Sequence, residues 1–162
     1  MQKDVTDAEL AATRLGYDKA LALWMYEGQL TWTRFTAMLT ANIININVIA
    51  FMRSTGGIYV YVLGTVGILL CLAWFLLMQR AFCYCKYWIY CAREYEGRLT
   101  GVMSVTRGAD YAAGKEVVFE FQGEKQPLQM SSWVKMVKVE WIANTVTILF
   151  LLAYSVAMVV MR

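Results

Sequence analysis

The chain of 162 residues is 59% hydrophobic and only 17% charged, whereas an average soluble domain is about 25% charged. Its net charge is only +3 and no run of lysine and arginine occurs, so we expect no nucleic acid as a partner. Histidine is absent. This excludes the usual catalytic triads and zinc-hydrolase motifs, and we therefore do not expect an enzyme.

Three long uncharged runs stand out, at residues 35–52, 54–79 and 141–161. Each holds at least 18 residues, about the number that an α-helix needs to cross hydrocarbon roughly 30 Å thick. Nine charged residues lie at or before Arg34 and sixteen between Arg80 and Glu140. Charge is thus concentrated in two segments outside the runs instead of being scattered along the chain, which predicts a protein embedded in a lipid bilayer.

The predicted fold class is an all-α membrane protein with three transmembrane helices, helical cytoplasmic extensions and a small β-containing cytoplasmic insert. In chain order we expect a cytoplasmic amphipathic helix (1–34), transmembrane helix 1 (35–52), transmembrane helix 2 (57–79), a cytoplasmic helix extension (80–96), an insert with a possible β-hairpin (97–129) and a helix that includes transmembrane helix 3 (130–161).

The first helix is expected to cover about residues 7–52, because no proline precedes Pro127. Its membrane span is unusually polar. Asn42 and Asn45 share a face at spacing i, i+3, while Asn47 points away from both. Amides in hydrocarbon are costly unless they are paired, so these side chains should face other helices or water. Interhelical hydrogen bonding and the lining of a polar pore are both open interpretations.

The second span carries a face of small residues, Gly64, Gly67 and Cys71, which would allow close approach of another helix. No break follows Arg80, so this helix should continue to about residue 95. The continuation bears an apolar-aromatic stripe of Tyr84, Trp88, Cys91 and Tyr95. This stripe would lie in the lipid interface or pack on the helix before Arg34 as an antiparallel hairpin, and the unbroken helix favours packing.

Alternating residues at 117–121 predict one short strand. We expect its partner at residues 99–105, which would form a small hairpin. After Pro127, a last helix should begin near Met130 or Ser131 and run straight into the third span.

The third span begins with a suggestive face of Glu140, Asn144 and Thr147 at i, i+4, i+7. An acid at the membrane boundary followed by an amide and a hydroxyl is what a cation path would need. The same face would equally suit an interhelical contact, with Arg34 as the expected partner of Glu140 at the same boundary.

The distribution of basic residues predicts the topology. The link at 53–57 carries one positive charge and the segment 80–140 carries nine. By the positive-inside rule, we expect the N-terminus and residues 80–140 in the cytoplasm and the C-terminus outside an inner (plasma) membrane.

The four cysteines indicate no cofactor. Cys83, Cys85 and Cys91 lack C-x-x-C spacing and have no histidine to complete a site, so we expect no metal. Reversible acylation of Cys83 or Cys85 remains open.

Several spaced residues resemble a recurrent, mostly uncharacterised type of small multi-pass bacterial inner-membrane protein. These residues are Glu27, Trp32, Arg34 and Phe35, then Trp74 and Arg80, then Tyr84, Tyr87 and Trp88, then Glu94 and Glu96, and finally Ser131, Ser132, Lys135 and Lys138. The similarity covers roughly residues 20–98 and 130–160. It implies a bacterial inner-membrane location more than any particular activity.

Three helices can bury few polar faces, so we expect self-association. The leading hypothesis is a homo-oligomeric channel or pore-like assembly, lined by Glu140, Asn144 and Thr147 or by Asn42 and Asn45, and gated by the cytoplasmic segment. The competing hypothesis is a non-conducting membrane adaptor, accessory or immunity-type protein whose cytoplasmic helical hairpin binds a partner protein.

Overall fold

The computed structural model describes residues 7–52, 57–99, 103–121 and 123–160. Three long helices and one short helix accompany a two-stranded antiparallel sheet. The helices are α1 (Asp7–Met52), α2 (Gly57–Glu96), α3 (Ser104–Ala112) and α4 (Val139–Val160), the strands are β1 (Val117–Phe121) and β2 (Glu124–Leu128), and Val134–Met136 forms a 3-10 turn. Helices α1, α2 and α4 are each long and apolar enough to cross a membrane, which confirms the predicted fold class.

The chain divides into two compact units, to which α1 and α2 both contribute. The span unit comprises Gly28–Cys83 and Val139–Arg162 and therefore contains the three uncharged runs. The insert unit comprises Met1–Glu27 and Tyr84–Lys138 and contains α3 and the sheet. The link between α1 and α2, at residues 53–56, lies outside the described residues.

The core of the span unit consists of large side chains from all three long helices. Trp74 of α2 is fully buried, and its ring centroid lies 5.2 Å from that of Phe35 on α1 and 6.1 Å from that of Phe150 on α4. Most of the outer surface is apolar instead, with Leu69 61% and Ile148 50% exposed. Such a surface would be unfavourable in water. It suits lipid, because hydrocarbon has no hydrogen-bonding groups for polar side chains.

The small residues of α2 face α4. A Cβ atom built on Gly64 would lie 2.7 Å from Cγ of Met158, and one built on Gly67 would collide with the ring of Tyr154. Cys71, one helical turn further along, is fully buried. The absence of side chains at the two glycines thus lets α4 approach α2 closely.

In the insert unit, the start of α1 packs on the end of α2. Tyr17 and Ala20 form a buried cluster with Ala92 and Leu99, and Cys91 and Tyr95 pack against it. Two members of the predicted aromatic stripe therefore contact the start of α1, as the hairpin interpretation required.

The predicted strand at residues 99–105 is wrong. The partner of β1 is β2, in the register Val117↔Leu128 and Phe119↔Gln126, with Gly123 at φ 81° in the tight turn. Of the predicted segment, Leu99 lies in a bend, residues 104–105 begin α3, and residues 100–102 lie outside the described part of the chain. Pro127 is compatible with β2 because a two-stranded sheet leaves one edge of each strand without ladder hydrogen bonds.

The predicted start of the last helix near Met130 or Ser131 is also wrong. Residues 134–136 form only a 3-10 turn, Val137 is extended (φ −85°, ψ 98°), and α4 begins at Val139. The segment contains Ser131, Ser132 and the β-branched Val134 and Val137, residue types whose intrinsic helix propensity is modest.

Candidate interhelical polar site

The amide of Asn42 joins all three helices of the span unit. Asn42 of α1 is fully buried, and its Nδ2 donates to the carbonyl of Met38, 2.8 Å away on the same helix. Its Oδ1 accepts hydrogen bonds from the hydroxyl of Tyr154 on α4 (2.9 Å) and from the thiol of Cys71 on α2 (3.2 Å). The side chain thus finds partners on its own helix and on both neighbouring helices.

Asn45 extends this contact by one helical turn. Its Nδ2 donates to the carbonyl of Leu63 on α2 (3.1 Å) and to the hydroxyl oxygen of Tyr154 (3.3 Å). We refer to Asn42, Asn45, Cys71 and Tyr154 as the polar cluster. Hydrogen bonds between transmembrane helices each contribute about 1 kcal/mol, so the cluster holds the three helices in register.

A second polar contact joins α2 and α4. Nε2 of Gln79 donates to Oδ1 of Asn144 at 2.8 Å. Thr147 is also buried, and its hydroxyl donates to the carbonyl of Ala143 on its own helix (3.1 Å). Glu140 lies in the first turn of α4 and is partly exposed. The predicted face at i, i+4, i+7 therefore turns inward at Asn144 and Thr147.

Asn47 lies apart from the polar cluster and is exposed. It belongs to an outward polar face of α1 that also contains Thr33, Thr36 and Thr40, all exposed. Their spacing of i, i+3, i+7 and i+14 places the four side chains along one side of a helix. The threonine hydroxyls donate to carbonyls four residues earlier, at 2.9–3.0 Å, and thus present oxygen lone pairs outward.

Five of the six predicted polar residues fall into two groups, and the sixth, Glu140, is partly exposed in the first turn of α4. Asn42, Asn45, Asn144 and Thr147 take part in interhelical packing, whereas Asn47 faces outward. Tyr154, the centre of the cluster, was not among the predicted residues. A tyrosine within a largely apolar span was the available signal, because its hydroxyl needs a partner there.

The insert unit contains its own buried acid. Glu96, only 3% exposed, ends α2, and its carboxylate accepts hydrogen bonds from the N–H groups of Val105 and Thr106 (2.8 Å each) and from the Thr106 hydroxyl (2.6 Å). The hydroxyl of Tyr17 donates to the same carboxylate at 3.4 Å. The N–H groups at the start of a helix have no partner within that helix. The carboxylate of Glu96 accepts two of these N–H groups and so caps α3. This cap stabilises the helical conformation of residues 104–105.

The electrostatics of Glu96 follow from these contacts. Burial disfavours the charged form, but the hydrogen bonds from Thr106 and Val105 outweigh it and hold the pKa of Glu96 below its ordinary value. Burial and the adjacent negative charge of Glu96 raise the pKa of Tyr17. Tyr17 consequently remains a protonated donor to Glu96 at neutral pH.

Replacing Tyr154 by phenylalanine should test the cluster. Tyr154→Phe keeps the ring that packs on Gly67 but removes the hydroxyl that bonds Asn42 and Asn45. We expect the free energy of unfolding in mixed micelles to fall by about 1–2 kcal/mol. The matched control Tyr59→Phe changes an exposed tyrosine of α2 and should leave stability unchanged. Equal stability of the two variants would show that the cluster contributes nothing.

The stability of α3 should depend on pH through Glu96. A carboxyl whose pKa is lowered by folding stabilises the fold above its unfolded pKa, and this contribution disappears as the pH falls through the folded pKa. We therefore expect hydrogen-exchange protection at Val105 and Thr106, corrected for intrinsic rates, to fall below about pH 4. Glu96→Gln should reduce protection already at neutral pH and flatten the pH dependence, whereas Glu120→Gln at an exposed position should not. A pH profile of Glu96→Gln parallel to the wild type would contradict this account.

Comparison with known proteins gives one match. Curated proteins and solved structures yield none, whereas the model of the octameric membrane protein family (8xMP) matches residues 16–161. The match includes all three membrane helices and the insert, and it agrees with the expectation of a multi-pass membrane protein that associates with copies of itself. The chain therefore belongs to the octameric membrane protein family.

Proposed function

We propose that eight copies of the chain surround a polar path across the membrane, and that the outward polar face of α1 lines this path. The observation that carries the proposal is the exposure of Thr33, Thr36, Thr40 and Asn47 on a helix that must cross lipid. The name of the family supports the number of copies. The basic residues of segment 80–140 favour a bacterial inner membrane with the insert unit on the cytoplasmic side.

Lipid is an unfavourable environment for this face. An amide such as that of Asn47 loses its hydrogen bonds to water in hydrocarbon, at a cost of several kcal/mol if nothing replaces them. The polar cluster and the Gln79–Asn144 pair already occupy the inward faces, so the face at Asn47 is left for contact with water or with another copy. Around a central axis, eight copies would each contribute one such face to a common wall.

The chemistry of the wall favours small hydrated ions. Each of the three threonine hydroxyls donates its proton to a backbone carbonyl of α1. The hydroxyl oxygens that face outward can therefore act only as hydrogen-bond acceptors. Oxygen acceptors without a formal charge stabilise water and cations by their dipoles. Helices α1 and α2 contribute residues to both units without a break, which supports gating of the path by the insert unit.

A non-conducting adaptor is the second candidate. Exposed aromatic residues in the insert unit support it, with Tyr26, Tyr87 and Tyr90 each more than half exposed. Exposed aromatic side chains are enriched at protein–protein contacts. In this case, the outward polar face of α1 would join copies of the chain without enclosing water.

Two threonines of similar geometry separate these candidates. Thr40 on α1 and Thr65 on α2 are both exposed, and both donate to the carbonyl four residues earlier (2.9 and 2.8 Å). In planar bilayers, Thr40→Val should reduce the unitary conductance severalfold, because eight valine side chains around the path would replace eight hydroxyl oxygens that accept hydrogen bonds. Thr65→Val should leave the conductance unchanged. In the same assay, Asn47→Asp should raise the preference for cations over anions.

Two results would contradict the proposed path. Bilayers that stay silent while the protein remains an octamer of about 148 kDa, eight times 18.5 kDa, would rule out the path and favour the adaptor. An equal effect of Thr40→Val and Thr65→Val would show that the outward face of α1 is not the lining.

A further inference from the structure

The insert unit contains a partly open cavity of about 510 Å³ between α1, α2 and α3. Pockets for small organic ligands are typically about 300–1,000 Å³ and mostly apolar. The walls of this cavity are also mostly apolar. They are formed by Tyr17, Leu21, Trp24 and Met25 of α1, by Ile89 and Arg93 of α2, and by Ser104, Val105, Gly108 and Ala109 of α3.

Arg93 is the one formal charge in this wall. Its Nε is buried and has no hydrogen-bond partner among the described residues. Its guanidinium lies over the ring of Tyr90, with Cζ 5.4 Å from the ring centroid. Stacking on a ring face does not provide hydrogen-bond acceptors for the N–H groups at the edge of the guanidinium. A buried donor without an acceptor costs about 1–3 kcal/mol, so an anion at this position would be strongly favoured.

We propose that the cavity binds a single-chain anionic amphiphile, with its hydrocarbon tail among the walls from α1 and α3 and its anionic head on Arg93. The apolar walls and the partly buried guanidinium of Arg93 fit the two parts of such a molecule. A nucleotide would need more polar partners than this wall offers. No group of three or more metal-ligating side chains occurs among the described residues, so a metal complex does not fit either.

This site is independent of the proposed path, because every residue in its wall belongs to the insert unit. The shape of the cavity depends on the contact between Glu96 and α3. Glu96 caps α3 at Val105, and both Ser104 and Val105 belong to the cavity wall. The carboxylate of Glu96 thereby fixes the helix that closes one side of the cavity.

Binding of radiolabelled hexadecanoate to the purified, delipidated oligomer tests the proposal. Saturable binding of one molecule per chain is expected. Ala109→Leu fills the cavity and should weaken binding at least about tenfold, equivalent to about 1.4 kcal/mol. Ala112→Leu, the same change at an exposed position of α3 outside the wall, should bind as the wild type does. Size-exclusion chromatography and thermal midpoints verify that both variants keep the oligomer intact.

The role of Arg93 is tested by comparing the binding of a charged and an uncharged ligand of the same chain length. The wild type should prefer hexadecanoate to hexadecanol by about tenfold or more, as expected for a charge-assisted hydrogen bond. Arg93→Gln should abolish this preference, while Lys125→Gln, which removes an exposed charge from β2, should keep it. Absence of saturable binding, unchanged binding by Ala109→Leu, or an unchanged preference in Arg93→Gln would each overturn the proposal. If a side chain of a neighbouring copy fills the cavity, hexadecanoate will not bind saturably, and the proposal will fail.

Discussion

The absence of hydrogen-bond partners in hydrocarbon is the constraint on which the span unit depends. Apart from the buried Nε1 of Trp74, which has no hydrogen-bond partner among the described residues, polar groups within the membrane spans of the three long helices are expected to bond a partner in the protein or to face water. Asn42 meets this requirement by bonding Tyr154 and Cys71 from the two neighbouring helices. Because each bond links a different helix, satisfying one amide also fixes how the three helices pack. Gly64 and Gly67 support this arrangement by letting Met158 and Tyr154 approach α2.

The same constraint connects the fold of one chain to its assembly. Thr40 and Asn47 are exposed in a single chain, and on our proposal association with other copies removes them from lipid. Membership of an octameric family is consistent with this requirement. The inward polar residues stabilise the fold of one chain, and on our proposal the outward ones give the assembly its function.

Much of the fold followed from the sequence because long uncharged runs and the lack of proline before Pro127 are strong, local signals. The orientation of the polar faces did not follow. Helical spacing groups Asn42 with Asn45 and separates Asn47, but it does not say which group meets the neighbouring helix, because that depends on where α2 and α4 lie. The structure supplies this information through the hydrogen bonds of Tyr154.

The errors in the insert have a similar cause. Residues 104–105 join α3 because the carboxylate of Glu96 accepts the N–H groups at its start, a contact that strand propensity does not include. The cavity beside Arg93 was equally hidden, since its wall combines residues of α2 and α3 with residues of α1, which are distant in the sequence.

The central claim, that the outward polar face of α1 borders water inside an oligomer, is tested most directly by spin labels in lipid nanodiscs. One label is attached to a cysteine that replaces Thr40, and the other to a cysteine that replaces Leu69, an exposed apolar residue of α2. The background lacks Cys83, Cys85 and Cys91 but keeps the buried Cys71 of the polar cluster. The label at position 40 should collide mainly with a water-soluble nickel complex and the label at position 69 mainly with oxygen dissolved in lipid. If both labels collide with oxygen and neither with nickel, α1 faces lipid or a dry contact, and the claim is wrong.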